Sequence, residues 1–271
     1  MITFPKAKIN LGLRVTGKRS DGFHDIETIF YPVGLSDALE FITVRGKTED
    51  ELVITGLDIK TRKRDNLVIK AVRILRERRP FPLLKIHLHK AIPSGAGLGG
   101  GSSDAGYLLK AINKCLHLNI STPELKAIAL ETGSDCPFFI EPVPSIATGR
   151  GEVLKPIKPI LEGYFIVLLN PGVAISTREA YFNTHFSSPG ENLEHLAMQH
   201  PSEWEKLIVN DFEDFAFKLF PVIGEIKKSL YSSGAVYSSM SGSGSSVYGI
   251  FTEKPDIPVN LRNYVIYEGV L

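Results

Sequence analysis

The residues best suited to do chemistry stand in one glycine-rich stretch, PSGAGLGGGSS, from Pro93 to Ser103. Five glycines lie between positions 95 and 101, and Ser102 and Ser103 follow them. An alternating strand pattern (83–92) leads into the stretch, and apolar residues at helical spacing follow it. Glycine lets phosphate oxygens approach the backbone closely, and the dipole at a helix N-terminus attracts anions. The stretch therefore predicts a phosphate-binding loop that feeds a helix.

Two other structures also use such a sequence. A flexible linker consists of glycine and serine, but a linker has no reason to lie between a patterned strand and a patterned helix. Gly95, Gly97 and Gly100 match the dinucleotide motif G-x-G-x-x-G, which requires an acidic residue at the end of a following strand, about 20 positions on. Residues 103–132 instead show two successive helical patterns, which disfavours a dinucleotide site. A Walker loop is excluded as well, because the required early glycine before Gly46-Lys47-Thr48 is replaced by Phe41.

Phosphoryl transfer needs positive charge near the phosphate and a group that orients or deprotonates the nucleophile. Lys90 lies just before the loop and can meet a phosphate as a point charge. The hydroxyl groups of Ser102 and Ser103 suit a phosphate or a phosphate-bound magnesium ion. Asp135, in GSDCPFFI, precedes apolar residues that would make its carboxylate a stronger base, although a turn residue at this position fits equally well.

Two further segments allow more than one interpretation. Lys8 alternates with Lys6 in PKAKINLGL, which fits a functional lysine or two exposed lysines of an edge strand. The turn SGSGSS (241–246) fits a second phosphate-facing loop or a hairpin connection, and its spacing favours the hairpin.

The composition is that of an ordinary globular protein, with 43% hydrophobic and 23% charged residues among 271 and a net charge of +1. This balance argues against a nucleic-acid partner or a membrane surface. No apolar run approaches the roughly 18 residues of a membrane span, and no signal peptide is visible. Cys115 and Cys136 are too few for a disulfide scaffold, so we expect a cytoplasmic protein. The sequence leaves metal ligands open and is compatible with a monomer or a weak homodimer.

Strand patterns cover residues 2–16 and 26–44, the second broken near Pro32 and Gly34, and helices are predicted after Asn66 and Ser121. The C-terminal part combines a buried strand (YFIVLLNPG), mostly helical residues (203–233), a hairpin and a closing strand. Because strands and helices intermingle without a regular βαβα rhythm, we predict a two-domain α+β fold. The proline-rich KPIKPILEG places the boundary between domains 1–155 and 156–271, with the option that the final strand returns to the first.

PSGAGLGGGSSDAG resembles the central ATP-binding motif of the GHMP kinases, a family that includes galactokinase, homoserine kinase and mevalonate kinase. SGSGSS resembles their third motif, and PKAKINLGL, TGKRSDGFHDIETIF and GSDCPFF narrow the match to members with a cytidine diphosphate substrate. The motifs run in order from about residue 5 to about residue 251. The resemblance implies a nucleotide-binding N-terminal α+β domain with a left-handed βαβ crossover, against the usual rule. It also implies a ferredoxin-like, substrate-side C-terminal domain.

The resemblance further implies transfer of the ATP γ-phosphate, with Mg²⁺, to the tertiary 2-hydroxyl of a methylerythritol unit in the non-mevalonate isoprenoid pathway. A kinase of the mevalonate or homoserine type is the alternative. The implied catalytic residues are Lys8 and Asp135. The implied nucleotide contacts are Asn66, Lys90, Pro93, Ser94, Gly95, Ala96, Gly97, Leu98, Gly99, Gly100, Gly101, Ser102 and Ser103. The implied substrate contacts are Asn10, Phe23, His24, Asp135, Thr177 and Tyr181.

At the cytidine end, the resemblance implies that Phe23 and Tyr181 enclose the pyrimidine while His24 bonds the edge of the base. Phe23 replaces the tyrosine that is commoner in the family. Stacking survives this replacement, whereas a hydrogen bond from a tyrosine hydroxyl does not.

Overall fold

The structure is a computed structural model that describes residues 1–59, 65–184 and 191–271. The described residues form two compact units, and each unit is assembled from separate stretches of chain. The first consists of Met1–Ala7, Leu35–Ser94 and Gly99–Pro142, and the second of Lys8–Gly34, Gly95–Leu98 and Val143–Leu271. The predicted domains 1–155 and 156–271 are continuous stretches, so whether either of them is a domain that folds by itself stays a prediction.

The described strands, in chain order, are β1 (Ile2–Thr3), β2 (Lys6–Lys18), β3 (His24–Ser36), β4 (Ala38–Thr43), β5 (Glu51–Gly56), β6 (Leu84–Lys90), β7 (Ser145–Thr148), β8 (Val153–Pro156), β9 (Phe165–Leu169), β10 (Tyr237–Met240), β11 (Val247–Phe251) and β12 (Val265–Val270). The α-helices are α1 (Leu67–Arg78), α2 (Gly100–Cys115), α3 (Thr122–Thr132), α4 (Thr177–Phe182), α5 (Leu193–Ala197), α6 (Glu213–Leu219), α7 (Pro221–Ser232) and α8 (Val259–Arg262). Short 3-10 helices cover Cys136–Ile140 and Pro201–Lys206.

The first unit is built on a sheet with the strand order β1-β4-β6-β5. Strands β5 and β6 are parallel, and α1 lies between them in the chain, so they form the predicted βαβ unit. The hand of this crossover stays a prediction. One face of the sheet packs against α1, α2 and α3 in a core that includes Leu39, Ile86 and Leu88.

The helices of the first unit begin where the sequence predicts. The side chain of Asn66 accepts a hydrogen bond from the Val68 amide at the start of α1, and Ser121 accepts one from Glu124 at the start of α3. Each cap satisfies a backbone donor that has no partner within the helix. Helix α2 starts at Gly100, within the glycine-rich stretch that the sequence predicts to feed a helix.

The second unit contains most of the sheet β2-β3-β7-β8 and the whole of the antiparallel sheet β10-β11-β9-β12. In chain order, β9, helices, β10, β11, α8 and β12 form a βαββαβ arrangement. That order of elements with this order of strands is the predicted ferredoxin-like topology, which confirms the α+β prediction for this part of the chain. The last strand, β12, pairs with β9 and therefore completes this sheet.

The predicted break near Pro32 and Gly34 is wrong, because β3 continues through both residues to Ser36. The ladder between β3 and β7 covers only Thr28 to Phe30, so the missing N–H of Pro32 interrupts no bond in that pairing. The predicted hairpin at SGSGSS is confirmed, since Met240 pairs with Val247 on either side of it. Among the described residues, no helix is both long and apolar enough to cross a membrane.

Candidate active site

Residues Gly95–Leu98 of the glycine loop belong to the second unit and are held there through their carbonyl oxygens. The Ser246 amide donates to Ala96 O (3.2 Å), the Ser241 hydroxyl donates to Gly97 O (2.8 Å), and the Lys8 amide donates to Leu98 O (3.0 Å). Gly95 and Gly97 have φ angles of +66° and +77°. Anchoring the carbonyl oxygens in this way favours use of the loop's N–H groups for an anion.

Residues Gly99–Ser103 belong to the first unit and begin α2. Gly99 is the N-cap residue, with a φ of +70° and no side chain to cap the helix. The N–H groups in the first turn of an α-helix have no intrahelical acceptor, and α2 is long enough for its dipole to favour a negative group at this end. The sequence-predicted phosphate site is therefore a helix N-terminus whose start carries no side-chain cap.

The two serines at the start of α2 are both engaged within the first unit. The Ser103 hydroxyl is buried and donates to the carbonyl oxygen of Lys6 (2.6 Å). Ser102 lies close to the buried thiol of Cys136. Their hydroxyl oxygens keep lone pairs, so they remain able to accept from a ligand or to meet a cation.

Lys90 lies at the base of the glycine loop, in an ion-pair cluster that is almost fully buried. Its ammonium donates to carboxylate oxygens of Asp37 and Asp104, the latter at 2.8 Å. Asp37 also accepts from the backbone amides of Ala91 and Ile92, at 2.6 and 2.8 Å. The cluster therefore links the end of β6, where Lys90 lies, to Asp104 near the start of α2. Sequence reasoning missed both aspartates, because Asp37 lies outside every motif and Asp104, although it lies within PSGAGLGGGSSDAG, gives no sign in the sequence that it pairs with Lys90.

The cluster carries one positive charge against two carboxylates. Burial raises the pKa of Asp104 to about 7, since the attraction of Lys90 offsets its desolvation only in part and Asp37 adds repulsion. Burial alone would lower the pKa of Lys90, but the attraction of Asp104 and Asp37 outweighs it and raises that pKa. Among the described residues, the Oδ1 atom of Asp104 is a buried oxygen without a hydrogen-bond partner.

Asn66, predicted near the nucleotide, is 8% exposed, and its Oδ1 atom accepts from the Val68 amide at 2.9 Å. The structure therefore gives Asn66 a role as helix cap. Its nucleotide contact stays a prediction.

Asp135 lies in the first unit, half-buried at the start of the 3-10 helix Cys136–Ile140. All five residues of that helix are buried, and the rings of Phe138 and Phe139 pack edge to face at 5.1 Å. The predicted apolar neighbourhood is thus present. Burial also raises the pKa of the neighbouring Cys136 thiol to about 12, which keeps it protonated at neutral pH.

Lys8 and Asn10 lie on β2 in the second unit, and both side chains are buried. The ammonium of Lys8 donates to Asn10 Oδ1 and lies 4.7 Å from the ring centroid of Phe30. Lys8 is 4% exposed, whereas Lys6 is exposed. The alternative of two exposed lysines is therefore wrong for Lys8. A lysine held in an interior by an amide oxygen and an aromatic face is a fixed positive charge.

The residues predicted at the cytidine end lie in the second unit. His24 stacks on Tyr181, with ring centroids 4.7 Å apart and an interplanar angle of 9°, and Tyr181 packs edge to face against Phe212. Phe23 is half exposed, and the guanidinium of Arg150 lies 4.8 Å from its ring centroid. The direct stacking partner of Tyr181 is thus His24. Thr177 starts α4, and its hydroxyl forms a hydrogen bond with that of Ser243 (3.0 Å).

Comparison with known families matches two models to this chain. The N-terminal domain of the GHMP kinases matches residues 66–141, and the C-terminal domain of the GHMP kinases matches residues 191–264. The first match spans α1 to the 3-10 helix after Asp135, and the second spans α5 to α8.

Several similar proteins carry one enzyme name. A 4-diphosphocytidyl-2-C-methyl-D-erythritol kinase of Bacteroides thetaiotaomicron is 49% identical over 95% of this chain and 94% of its own length. The protein of that name from Azobacteroides pseudotrichonymphae is 46% identical over the full length of both chains.

Solved structures agree with these relatives. A crystal structure of a 4-(cytidine 5'-diphospho)-2C-methyl-D-erythritol kinase superposes with a TM-score of 0.76 at 33% identity, covering 92% of this chain and 90% of that one. The mevalonate kinase of Methanococcus jannaschii shares the fold alone, with a TM-score of 0.66 at 16% identity over 93% and 90% of the two chains. These likenesses show that the chain belongs to the GHMP kinases and, within them, to the 4-diphosphocytidyl-2-C-methyl-D-erythritol kinases.

Proposed function

We propose that this chain transfers the γ-phosphate of ATP to the 2-hydroxyl of 4-diphosphocytidyl-2-C-methyl-D-erythritol, in the non-mevalonate pathway to isoprenoid precursors. The observation that carries the proposal is its identity of 42 to 49% to relatives of that name, over 94 to 100% of the chain. Membership of a kinase family makes the chain a small-molecule kinase, and the high identity supports the particular acceptor.

The glycine loop binds the phosphates of ATP in this proposal. Its residues Gly95–Leu98 present backbone N–H groups, and Gly99–Ser103 present the N-terminus of α2. Lys90 affects the loop indirectly, because its ammonium is already bound by Asp37 and Asp104. Its contribution is to hold the loop in shape.

Lys8 supplies positive charge to the reaction. Because its ammonium is buried and held by Asn10 and Phe30, the charge does not have to reorient when negative charge develops on the transferring phosphate. The same charge lowers the pKa of a nearby alcohol, which makes the hydroxyl easier to deprotonate.

Asp135 accepts the proton of the acceptor hydroxyl. It stands at the start of a 3-10 helix whose five residues are apolar and buried. A positioned general base of this kind contributes on the order of 10²- to 10⁴-fold to the rate. Asp135 is also the predicted contact to the methylerythritol end, together with Asn10.

The cytidine end of the substrate binds at Phe23, His24, Thr177 and Tyr181. Tyr181 offers a large aromatic surface that His24 already uses for stacking. Stacking of a base on an aromatic side chain is worth about 1–3 kcal/mol. A substrate without a nucleobase gains nothing from such a surface, so this cluster distinguishes the proposed acceptor from mevalonate or homoserine.

Mg²⁺ enters with the nucleotide. Magnesium keeps several waters and is commonly bound through substrate phosphates with one or two protein oxygens. The hydroxyl oxygens of Ser102 and Ser103, at the first turn of α2, are the protein groups that suit it there. When bound, the ion neutralises charge on the phosphates. In residues 1–59, 65–184 and 191–271, no group of three or more His, Cys, Asp or Glu side chains is placed to hold a metal.

The test is an ADP-release assay with ATP, Mg²⁺ and a panel of acceptors. We expect ADP release with 4-diphosphocytidyl-2-C-methyl-D-erythritol and a phosphorylated product by mass spectrometry. Mevalonate and homoserine complete the panel. Preference for either of them over the cytidine substrate would overturn the proposal, and ATP binding without transfer to any acceptor would do so too.

A further inference from the structure

Four buried groups of the second unit form a chain of hydrogen bonds that ends at Lys8. The ammonium of Lys8 donates to Asn10 Oδ1, Asn10 Nδ2 donates to Thr28 Oγ1 (3.0 Å), and the Thr28 hydroxyl donates to Gly12 O. The exposed fractions are 4% for Lys8, 1% for Asn10 and 0% for Thr28. Lys8, Asn10 and Gly12 lie on β2, and Thr28 lies on β3.

The direction of each bond in this chain follows from its last member. A carbonyl oxygen only accepts, so the single hydrogen of the Thr28 hydroxyl is committed to Gly12. Thr28 Oγ1 then offers only lone pairs to Asn10. The Asn10 amide must therefore turn its NH₂ group toward Thr28 and its oxygen toward Lys8.

The backbone supports the same arrangement. Gly12 has a φ of +62°, which is outside the strand region and is accessible to glycine at low cost. The main chain of Asn10 is anchored on both sides, since its amide donates to Ser241 Oγ (3.2 Å) and its carbonyl accepts from the Tyr248 hydroxyl (2.7 Å). With the main chain of Asn10 fixed, the orientation of its amide is the remaining variable, and Thr28 determines it.

We propose that Thr28 is a positioning residue for phosphoryl transfer: its hydroxyl fixes the Asn10 amide so that the amide oxygen holds the ammonium of Lys8. This inference rests on the proposed function, in which Lys8 supplies positive charge to the reaction. Thr28 itself contacts neither nucleotide nor acceptor in this role.

Without the Thr28 hydroxyl, the hydrogen bond that holds the Asn10 amide in its orientation is lost. In Thr28→Val, a methyl group of similar size replaces the hydroxyl, and Asn10 Nδ2 loses its acceptor. The amide then gains by turning over, which presents NH₂ to the Lys8 ammonium. Two donors cannot bond each other, so Lys8 leaves its place while the glycine loop keeps its own contacts.

The experiment compares Thr28→Val and Thr28→Ala, which lack the hydroxyl, with Thr28→Ser, which keeps it. We measure kcat, the KM for ATP, the KM for the cytidine substrate and the thermal midpoint of each purified protein. Because a positioned catalytic group contributes on the order of 10²- to 10⁴-fold, its partial misplacement should lower kcat about 10-fold or more. Thr28→Ser should stay within about 3-fold of the wild type, on the same reasoning, and the KM for ATP should change little in all three variants.

Three outcomes would overturn the inference. The first is an unchanged kcat in Thr28→Val or Thr28→Ala. The second is an equal loss of kcat in Thr28→Ser, because that variant keeps the hydroxyl. The third is an undiminished loss of kcat when Thr28→Val is added to Lys8→Met, since a residue that acts through Lys8 has no effect once Lys8 is gone.

If Thr28→Val does not fold, Thr28→Ala provides the same comparison without the branched side chain. Failure of the proposed function is separate, because it would appear in the wild type as absent transfer to the cytidine substrate. In that case the comparison of variants uses whichever acceptor of the panel the wild type phosphorylates.

Discussion

Gly97 lies against the backbone of Ser241 so closely that a β-carbon at position 97 would come within 1.8 Å of the Ser241 carbonyl oxygen. The φ of Gly97, +77°, separately disfavours any other residue. Gly97 and Ser241, which are 144 positions apart in sequence, thus lie in direct backbone contact, and the Ser241 hydroxyl adds a hydrogen bond to Gly97 O. The hairpin turn therefore supports the glycine loop.

This contact predicts that Gly97→Ala is strongly destabilising. An L-residue at this φ costs about 1–2 kcal/mol and overpacking adds typically 1–3 kcal/mol, so the loss should reach about 3 kcal/mol. Gly95→Ala is the matched control, because Gly95 has a φ of +66° but nothing within 4 Å of its β-carbon position. Urea unfolding should show a clearly smaller loss for Gly95→Ala, and equal losses would contradict the contact.

Asp135→Asn should abolish most turnover without unfolding the protein. If Asp135 is the base, kcat should fall on the order of 10²- to 10⁴-fold. Glu141→Gln serves as the control, because Glu141 lies at the other end of the same 3-10 helix in an exposed ion pair with Lys126. Its kcat should match that of the wild type. Near-normal turnover in a folded Asp135→Asn protein would remove Asp135 from the mechanism.

Tyr181→Ala should weaken the cytidine substrate selectively. Loss of one stacking surface costs about 1–3 kcal/mol, which corresponds to an increase in KM of about 5- to 150-fold. The KM for ATP should not change. Phe182→Ala is the control, since Phe182 follows directly on α4 but is 88% exposed. A parallel rise in both KM values for Tyr181→Ala would indicate a general distortion instead of a cytidine contact.

The Lys90 cluster predicts a pH dependence of stability that Asp104→Asn removes. The pKa of Asp104 is raised from 3.8 to about 7 in the folded state, so the folded protein binds this proton more tightly than the unfolded chain. This group therefore costs stability as the pH rises from about 4 to about 7. The groups that face it are Lys90 and Asp37.

Unfolding free energies at several pH values between 4 and 8 measure this effect. Asn does not titrate, so Asp104→Asn should gain stability relative to the wild type as the pH rises, and the gain should level off above about pH 7. Asp256→Asn is the control, because Asp256 pairs with Arg262 in an exposed position. A difference between wild type and Asp104→Asn that stays constant with pH would contradict the raised pKa.

Local chemistry explains which parts of the structure the sequence predicts well. The caps at Asn66 and Ser121 depend on neighbours two or three positions away, so the sequence is sufficient to place α1 and α3. The hairpin at 241–246 likewise follows from its turn residues. Pro32 misled the prediction of β3, because its effect depends on how far the neighbouring strand extends, which is a tertiary property.

The residues of the candidate site likewise divide into those that the sequence predicts and those that it does not. The motifs of the glycine loop and of Asp135 indicate the chemistry of those residues, whereas the structural roles of Thr28, Asp37 and Asp104 depend on partners that the sequence does not reveal. A buried lysine needs an acceptor, so Lys90 gives a weak signal that carboxylates must be near it. Nothing in the sequence says which carboxylates these are, because a separation of 53 residues, as between Lys90 and Asp37, carries no periodicity.

The pair Lys90–Asp104 joins positions 14 apart on either side of the glycine loop. This ion pair closes a ring that consists of the main chain from 90 to 104 and the side chains of Lys90 and Asp104. Bringing the ends of a flexible segment of this length together costs on the order of 2 kcal/mol in chain entropy. This entropy is lost when the chain folds, so the ends of the glycine loop are already held together before any ligand binds.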